Sequence, residues 1–268
     1  MFKNTDEYKI VSVIVAPIYN QPCFSSELIN QALFWEELIV LNKKNNWLHV
    51  KQRDQYIGWI HSFYTSDSYI YKNRKELQKI ENWYFVKNRF CKITLRDKTN
   101  YHLSFGSLLP CLNNENKFKI IFPNGEESNI NKNNLIRSNK RPSIETVLKW
   151  SESLLGIPYL WGGKSSFAYD CSGLIQSILS LMNIHFPRDT KDQINSNKIE
   201  QIHSDNIESG NLIYFFDGDK PVHVGIFRNS ETFIHSSGCV KKNSIIKNNV
   251  YYDESLSIMK SKVFKLKA

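Results

Sequence analysis

The chain has 268 residues, a formal net charge of +9 at pH 7, and 41% hydrophobic and 13% aromatic residues. This composition is that of a soluble globular protein, and the length allows two or three small domains with their own cores. No stretch approaches the length of a membrane-spanning helix, so we expect no membrane partner.

The positive charge lies mainly in the first half of the chain. Residues 1–140 hold 20 Lys and Arg against 13 Asp and Glu, whereas residues 141–268 hold 15 against 13. A basic half of this kind can meet nucleic acid or an anionic cell-wall polymer. Because no dense basic run and no aromatic-basic motif is present, we expect no nucleic-acid partner and a solvated, lysine-rich surface.

Cysteine usage and the N-terminus bear on the compartment. The cysteines at positions 23, 91, 111, 171 and 239 are odd in number and form no C-x-x-C pair, so neither a disulfide framework nor a metal site is indicated. The N-terminus lacks the basic start, the long apolar core and the cleavage site of a secretory signal. We therefore expect a cytoplasmic monomer that needs no cofactor and no metal.

Residues 8–64 contain short apolar segments separated by turns. They predict strands at Ile10–Val15, Leu38–Leu41, Trp47–Lys51 and Tyr56–His61. Pro17 and Pro22 are expected to break the segment that follows the first strand. So many short strands in so few residues predict a small closed β-barrel.

Residues 70–138 show a similar pattern. They predict strands at Phe90–Leu95, Asn100–Leu103 and Lys117–Phe122, with a turn at Pro123–Glu126. We expect a second small β-barrel here, followed by a polar linker that ends at Pro142. The expected domains are thus residues 1–68, 69–140 and 141–268.

The third domain is expected to begin with an amphipathic helix from Ser143 to the residue before Gly156. Further on, residues 161–170 form a loop that ends on a cysteine at the start of a second helix. Asp170 is a good N-cap for that helix, because apolar residues recur at helical spacing after it. Another loop, Ile184 to Asp192, is expected to follow this helix.

Cys171 is placed as a nucleophile would be. In the first turn of a helix, unpaired N–H groups and the helix dipole favour a thiolate and lower the thiol pKa. The same N–H groups can hold a developing oxyanion. Most free cysteines, however, are small buried hydrophobes without chemistry, so this position alone leaves both interpretations open.

Two histidines lie downstream in strand-like apolar segments. His223 lies within Pro221–Phe227 and His235 within Thr232–Gly238, after a further expected strand at Leu212–Phe216. The chain thus presents first a cysteine, then a histidine, then a second polar residue on an adjacent strand. This is the order expected of a nucleophile, its base and the residue that orients the base. A helix with the cysteine, packed on a sheet with the histidines, is an α+β arrangement.

Four motifs resemble, in order and spacing, those of the NlpC-type cysteine peptidases. They are Tyr159–Gly163, Asp170–Gly173, His223–Gly225 and Phe233–Ser237, and the resemblance covers about residues 142–268. It implies a papain-like α+β domain that cleaves bacterial cell-wall peptides. In that interpretation Cys171 is the nucleophile, His223 the base and His235 the orienter.

The resemblance also implies substrate contacts in the third domain. The Tyr159 hydroxyl is expected to donate to an oxyanion or to the scissile carbonyl. The resemblance favours a substrate role for Tyr159 more than for Trp161. Asp170 and Ser172, which flank the cysteine, are candidates for contacts to a substrate amine and carboxylate. Asp189 and Thr190, in the loop after the cysteine helix, are further candidates.

The N-terminal part has a resemblance of its own. Asn46–Val50 and Gly58–Ile60 resemble pieces of a bacterial SH3-like domain, so the first barrel is expected to be SH3-like, and the second is expected to be so because it repeats this architecture. In similar recycling enzymes a wall of this domain closes the cleft and an acidic residue holds the substrate amine. Gln31–Leu38 looks like that segment, which points to Glu36, with Glu37 second. Tyr56 is the candidate for an added hydroxyl contact.

The expected function is a cysteine endopeptidase acting on murein peptides. The bond would be the one between γ-D-Glu and a diamino acid in free L-Ala-γ-D-Glu-diaminopimelate-type fragments. Two alternatives stay open: a protein whose SH3-like domains bind the cell wall, which the basic first half motivates, and an amidase or acyltransferase with the same Cys–His geometry. The Tyr159 and Asp170–Ser172 signatures argue against the latter.

Overall fold

The computed structural model describes residues 7–67, 82–95, 97–114 and 117–267. The chain divides into two compact units, Met1–Lys140 and Arg141–Ala268. The expected boundary between the two barrels, at residues 68 and 69, lies outside the described residues. In the part of the chain that is described, strands predominate, and no helix is long and apolar enough to cross a membrane.

The first unit begins with a seven-stranded sheet. Its strands are β1 (Glu7–Val11), β2 (Val15–Tyr19), β3 (Leu28–Leu33), β4 (Glu37–Lys44), β5 (Trp47–Lys51), β6 (Ile57–His61) and β7 (Thr65–Ser66). They lie in the order β3-β2-β6-β5-β4-β1-β7, and each pair is antiparallel. A 3₁₀ turn at Ser62–Tyr64 connects β6 to β7. The expected strands near residues 38, 47 and 57 are confirmed.

The prediction of one continuous strand over Ile10–Val15 is wrong. The chain turns after β1, where the Ser12 N–H and hydroxyl both donate to the Tyr64 carbonyl at 3.0 and 3.2 Å. The expectation that Pro17 breaks the next segment is also wrong, because Pro17 lies inside β2 opposite Gln31. The strand tolerates it since β2 pairs with β6 only at Tyr19, so most of that edge needs no amide donor.

The rest of the first unit is also built of strands. They are β8 (Asn82–Val86), β9 (Phe90–Thr94), β10 (Asn100–Ser104), β11 (Leu108–Asn114), β12 (Lys117–Ile121), β13 (Glu127–Asn129) and β14 (Leu135–Arg137). One sheet has the order β13-β12-β11-β8-β14, and β9 pairs with β10. A 3₁₀ turn covers Lys132–Asn134. The turn expected at Pro123–Glu126 is confirmed by the bond from the Phe122 N–H to the Glu126 carbonyl at 2.7 Å.

A single hydrophobic cluster joins the two parts of this unit. Phe34 and Trp35, which follow β3, pack with buried side chains of β8 to β12 such as Tyr84 and Leu109. The Trp35 indole N–H donates to the Ile121 carbonyl at 2.6 Å. The turn after β3, together with Ile10 of β1, therefore contributes side chains to the core of the strands that follow.

The second unit combines four described helices with a six-stranded antiparallel sheet. The helices are α1 (Ile144–Ser151), α2 (Cys171–Ser180), α3 (Thr190–Ile194) and α4 (Glu254–Ser257). The strands are β15 (Lys164–Ser165), β16 (Ala168–Tyr169), β17 (Ile199–Ile202), β18 (Leu212–Asp217), β19 (Lys220–Phe227), β20 (Phe233–Ser237), β21 (Cys239–Asn243) and β22 (Lys260–Leu266). The sheet order is β17-β22-β18-β19-β20-β21, and β15 pairs with β16 apart from it.

The helix that carries the cysteine is buried on all sides. Every residue from Cys171 to Leu179 is buried, and α2 packs on β19 and β20. The starts of the helices expected after Ser143 and Asp170 are confirmed, each with its cap side chain accepting a bond from the first turn. The first of them ends earlier than expected, at Ser151, where a 3₁₀ turn over Glu152–Leu154 follows. The expected loop from Ile184 to Asp192 is wrong at its end, because α3 begins at Thr190.

Candidate active site

The N-terminus of α2 is held by Asp170 and by a close approach of the preceding loop. Asp170 Oδ1 accepts the Gly173 N–H at 2.6 Å, which caps the helix. A Cβ on Gly173 would lie 2.2 Å from the Gly163 carbonyl oxygen, so only glycine fits two residues after Cys171. The segment Asp-Cys-Ser-Gly thus sets the cysteine at the first position of a buried helix.

Asp170 forms a buried ion pair that the sequence analysis missed. Arg188 donates to both carboxylate oxygens, from Nη1 to Oδ1 at 3.0 Å and from Nη2 to Oδ2, and its side chain is 1% exposed. Asp170 also accepts from the Gly162 N–H at 2.9 Å and from the Ser172 hydroxyl at 3.2 Å. Arg188 Nη1 in turn donates to the Ser172 hydroxyl at 2.9 Å.

These bonds bear on the expected substrate contacts of Asp170 and Ser172. With the Gly173 N–H, five donors converge on the Asp170 carboxylate, which offers about four lone-pair sites. Its contacts are therefore explained by helix capping and by the pair with Arg188. A role for either residue in holding substrate stays a prediction.

The two histidines face each other across neighbouring strands. His223 lies on β19 and His235 on β20, and His223 Nε2 is 2.7 Å from His235 Nδ1. Gly225 lies directly opposite His235, and a Cβ there would come within 2.8 Å of the Phe233 ring. On its other side His235 Nε2 is 2.8 Å from Asn243 Oδ1, at the end of β21.

Helix packing brings Cys171 to the strand that carries His223. The N–H of Val224, the residue after His223, donates to the Cys171 sulfur, as does the Ser172 N–H. The Ser236 hydroxyl, next to His235, donates to the Tyr169 carbonyl at 2.8 Å. The structure therefore collects Cys171, His223 and His235 at the contact of α2 with β19 and β20.

Burial dominates the ionisation of these groups. It raises the pKa of the Cys171 thiol to about 11, with a further contribution from the Asp170 carboxylate, while N–H donors and Arg188 act in the opposite direction. Burial, together with His235, lowers the pKa of His223 to about 3, and burial lowers the pKa of His235 to about 4. The expected net lowering of the thiol pKa at the helix N-terminus is wrong here, because burial outweighs the N–H donors. Both shifts favour a neutral thiol and a neutral imidazole in the resting site.

Tyr159 lies beside this group, whereas Trp161 points towards solvent. Burial and the proximity of Cys171 raise the pKa of the Tyr159 hydroxyl to about 12. The Tyr159 N–H donates to the Gly238 carbonyl at 2.9 Å, which ties the residue to the turn after β20. The Trp161 side chain is 62% exposed. Tyr214, on β18, also has a pKa raised by burial and by Cys171.

Asp189 and Thr190 lie where α3 begins, directly after Arg188. The Asp189 carbonyl accepts the Gln193 N–H at 2.8 Å, and its side chain makes no capping bond to the helix. Gln193, which the sequence analysis also missed, is fully buried and donates to the Ser172 carbonyl at 3.1 Å. α3 is therefore fastened to the start of α2.

Glu36 and Tyr56 belong to the first unit. Glu36 lies in the turn between β3 and β4, where its carboxylate accepts the Leu33 N–H at 3.0 Å and the Gln52 amide at 2.7 Å. The Gln52 N–H donates to the Tyr56 carbonyl at 2.8 Å, so the buried Gln52 links the two candidates. What they do for a substrate stays a prediction. Glu37 starts β4 opposite Ile10.

No cluster of three or more metal-binding side chains occurs in residues 7–67, 82–95, 97–114 and 117–267. The chemistry that the second unit offers is that of a thiol beside an imidazole pair.

Comparison with known proteins identifies the group to which the chain belongs. The NlpC/P60 family model matches residues 156–260, and a bacterial dipeptidyl-peptidase SH3 domain model matches residues 18–62. A γ-D-glutamyl-L-lysine dipeptidyl-peptidase of Bacillus cereus is 25% identical over 246 residues, 84% of this chain and 72% of that protein. A probable endopeptidase NlpC of Escherichia coli is 32% identical over 109 residues, 39% of this chain and 68% of that protein.

The fold has a close counterpart among solved structures. A crystal structure of an NlpC/P60 family protein from Bacillus cereus superposes with a TM-score of 0.81 at 19% identity, covering 96% of this chain and 98% of that one. The fold, the matched family model and the identity to the Escherichia coli relative agree, and the chain belongs to the NlpC/P60 family.

Proposed function

We propose that this protein is a cysteine peptidase that hydrolyses peptidoglycan peptides. The observation that carries the proposal is the placement of Cys171 at the start of a buried helix, against the strand of His223, whose ring is bonded to His235. Family membership and the peptidases among the relatives support the same reaction class. A wall-binding module has no need of a thiol beside an imidazole pair, which favours an enzyme.

In the proposed mechanism, His223 acts first as a base and then as an acid. It takes the proton of the Cys171 thiol as the sulfur attacks the scissile carbonyl carbon, so the neutral pair becomes an ion pair only during the reaction. His223 then gives this proton to the leaving amine, and a thioester remains. A water molecule, deprotonated by His223, hydrolyses the thioester and restores the thiol.

The negative charge on the carbonyl oxygen needs donors. The proposed donors are the Cys171 N–H, in the first turn of α2, and the Tyr159 hydroxyl. Because its pKa is raised to about 12, Tyr159 keeps its proton throughout the neutral range and remains a donor. Trp161, Ser172, Asp189 and Thr190 are the further proposed substrate contacts around the same helix start.

The proposed substrate is a free fragment of the type L-Ala-γ-D-Glu-diamino acid, cut after the γ-D-glutamyl residue. The name of the Bacillus cereus relative, γ-D-glutamyl-L-lysine dipeptidyl-peptidase, supports this bond. A dipeptidyl-peptidase releases two residues from a free amino end, so it must bind an ammonium group. The Glu36 carboxylate is the proposed partner of that ammonium, and the Tyr56 hydroxyl is a second contact.

We also propose finer features of the fold. The strands of residues 1–68 and 69–140 are proposed to form two SH3-like barrels, and residues 141–268 a papain-like domain. The sheet orders of the first unit and the match of an SH3 domain model to residues 18–62 support the first point. A cysteine helix packed on an antiparallel sheet with the histidines supports the second.

The test is turnover of defined peptides by the full chain. We expect L-Ala-γ-D-Glu-L-Lys, or its diaminopimelate counterpart, to yield L-Ala-D-Glu and the free diamino acid in mass spectrometry. Cys171→Ala is expected to abolish turnover. Cys239→Ala, a change at another cysteine of the same unit, is the matched control and should retain it. Full turnover by Cys171→Ala, or no cleavage of either peptide by the unaltered protein, would overturn the proposal.

A further inference from the structure

The hydrogen-bonded chain that starts at His223 continues beyond His235. Asn243, the last residue of β21, places its Oδ1 2.8 Å from His235 Nε2. Its Nδ2 donates to the Tyr251 carbonyl at 3.1 Å. Four groups therefore stand in series, two imidazoles, a carboxamide and a backbone carbonyl, and no motif in the sequence signals the last two.

The backbone carbonyl fixes the orientation of the carboxamide. The Tyr251 carbonyl can only accept, so the amide NH₂ of Asn243 must face it and Oδ1 must face His235. An amide turned the other way would set Asn243 Oδ1 against the Tyr251 carbonyl oxygen, two acceptors with no proton between them, and the bond to that carbonyl would be lost. The Asn243 side chain thus has one favourable orientation.

That orientation decides which ring nitrogens carry protons. Because Asn243 Oδ1 can only accept, the proton of this hydrogen bond must be on His235 Nε2. In a neutral imidazole the other nitrogen is then bare, so His235 Nδ1 accepts from His223 Nε2 across 2.7 Å. His223 therefore carries its proton on Nε2, and its Nδ1 is the bare nitrogen, the atom able to take a proton from Cys171.

We propose that Asn243 is a positioning residue, which holds His235 and through it His223 in the tautomers that leave His223 Nδ1 free as the base. This inference rests on the proposed peptidase function and adds to it a residue that does not touch the substrate. The transferred proton moves only between the thiol and His223. The Asn243 carboxamide takes no part in the transfer and serves as the acceptor for His235 Nε2.

The carboxamide is also a neutral partner, which matters for the charge of the pair. Two charged groups act on both rings: Lys241 on β21 lowers their pKa values, and Asp253, before α4, raises them. His235 also disfavours a proton on His223 and so lowers the pKa of that ring. A carboxylate in place of the Asn243 amide would add an anion next to His235 Nε2 and stabilise imidazolium. Asn243 supplies the acceptor without that charge.

The first test reads the tautomers directly, with no substrate. Nitrogen-15 NMR shifts of the imidazole rings distinguish protonated from bare nitrogens, and His223→Ala and His235→Ala variants assign the signals. In the full chain we expect protons on Nε2 of both rings. In Asn243→Leu, which has no acceptor, we expect a mixture of tautomers in both rings. Protons on Nδ1 in the unaltered protein, or unchanged shifts in Asn243→Leu, would overturn the proposal.

The second test uses turnover of the tripeptide. Asn243→Leu is expected to lower kcat about tenfold, the effect of losing one ordinary hydrogen bond, with KM unchanged. Asn243→Asp keeps the acceptor, so it should restore kcat at neutral pH, while the pH at which His235 titrates rises by about one unit or more. Asn249→Leu is the matched control, because Asn249 Oδ1 accepts the Tyr251 N–H of the same loop, whereas the bond to His235 is made by Asn243.

The two tests separate the possible failures. Loss of activity in Asn243→Leu together with native ring shifts would assign Asn243 a merely structural role, and the same loss in Asn249→Leu would assign it to the loop. An unaltered protein that cleaves no peptide would remove the proposed function, while the NMR measurement would still decide the tautomers.

Discussion

The buried pair between Asp170 and Arg188 gives a prediction whose size follows from the structure. The two side chains are 8% and 1% exposed, and Arg188 contacts both carboxylate oxygens. In Arg188→Met the carboxylate keeps only the Gly162 and Gly173 N–H groups and the Ser172 hydroxyl. Removing one partner of a buried ion pair costs about 3–5 kcal/mol, because the other charge stays buried.

This loss should appear first at the start of α2, where Asp170 is the cap. We expect hydrogen exchange of the α2 amides to accelerate on the order of 10²–10⁴-fold in Arg188→Met, since each 1.4 kcal/mol is about a factor of ten. The double variant Asp170→Asn/Arg188→Met removes the unpaired charge as well, so its exchange should be slower than that of Arg188→Met. Arg228→Met is the control, since the ion pair of Arg228 with Glu152 is about one-third exposed and contributes little to the free energy of unfolding. Equal protection in Arg188→Met and the unaltered chain would refute the reasoning.

Three further predictions concern the thiol, the first unit and the sheet. Alkylation of Cys171 by iodoacetamide should accelerate only at alkaline pH, because the pKa of the Cys171 thiol is raised to about 11 and that of His223 is lowered to about 3. A rate that already reaches its plateau in acid would indicate a resting ion pair instead. Glu36→Gln should raise KM for the tripeptide with a free amine about tenfold or more, and Glu37→Gln is the control. An equal rise in KM for the N-acylated peptide would contradict a contact between Glu36 and the amine. Gly225→Ala should destabilise the second unit by about 1–3 kcal/mol in thermal unfolding, since its Cβ would lie 2.8 Å from the Phe233 ring; an unchanged melting temperature would contradict this crowding.

Local signals in the sequence were sufficient for the elements at the site. Asp170, followed by helical spacing of apolar residues, predicts the cap and the start of α2, and both are observed. The apolar segments around His223 and His235 predict β19 and β20, and both strands are observed, with Val224–Phe227 and Phe233–Ser236 buried. In these places the local preference and the tertiary environment agree.

Pairings between distant residues were not accessible from the sequence. Nothing near Arg188 shows that it meets Asp170, eighteen positions earlier in the chain, and its Pro and Asp neighbours are typical of a loop. Asn243 likewise follows two lysines at the end of a strand, as many surface residues do. The thiol pKa was misjudged because the helix N-terminus is visible in the sequence and the degree of burial is not.

The most direct test of the proposed chemistry is detection of the acyl-enzyme. Rapid quenching of the protein in acid during turnover of L-Ala-γ-D-Glu-L-Lys, followed by mass spectrometry of its proteolytic fragments, would locate a covalent adduct. The mechanism predicts an L-Ala-γ-D-glutamyl thioester on Cys171, with Cys239 unmodified and no adduct in Cys171→Ala. Product formation without any adduct on Cys171, or an adduct on another residue, would contradict it.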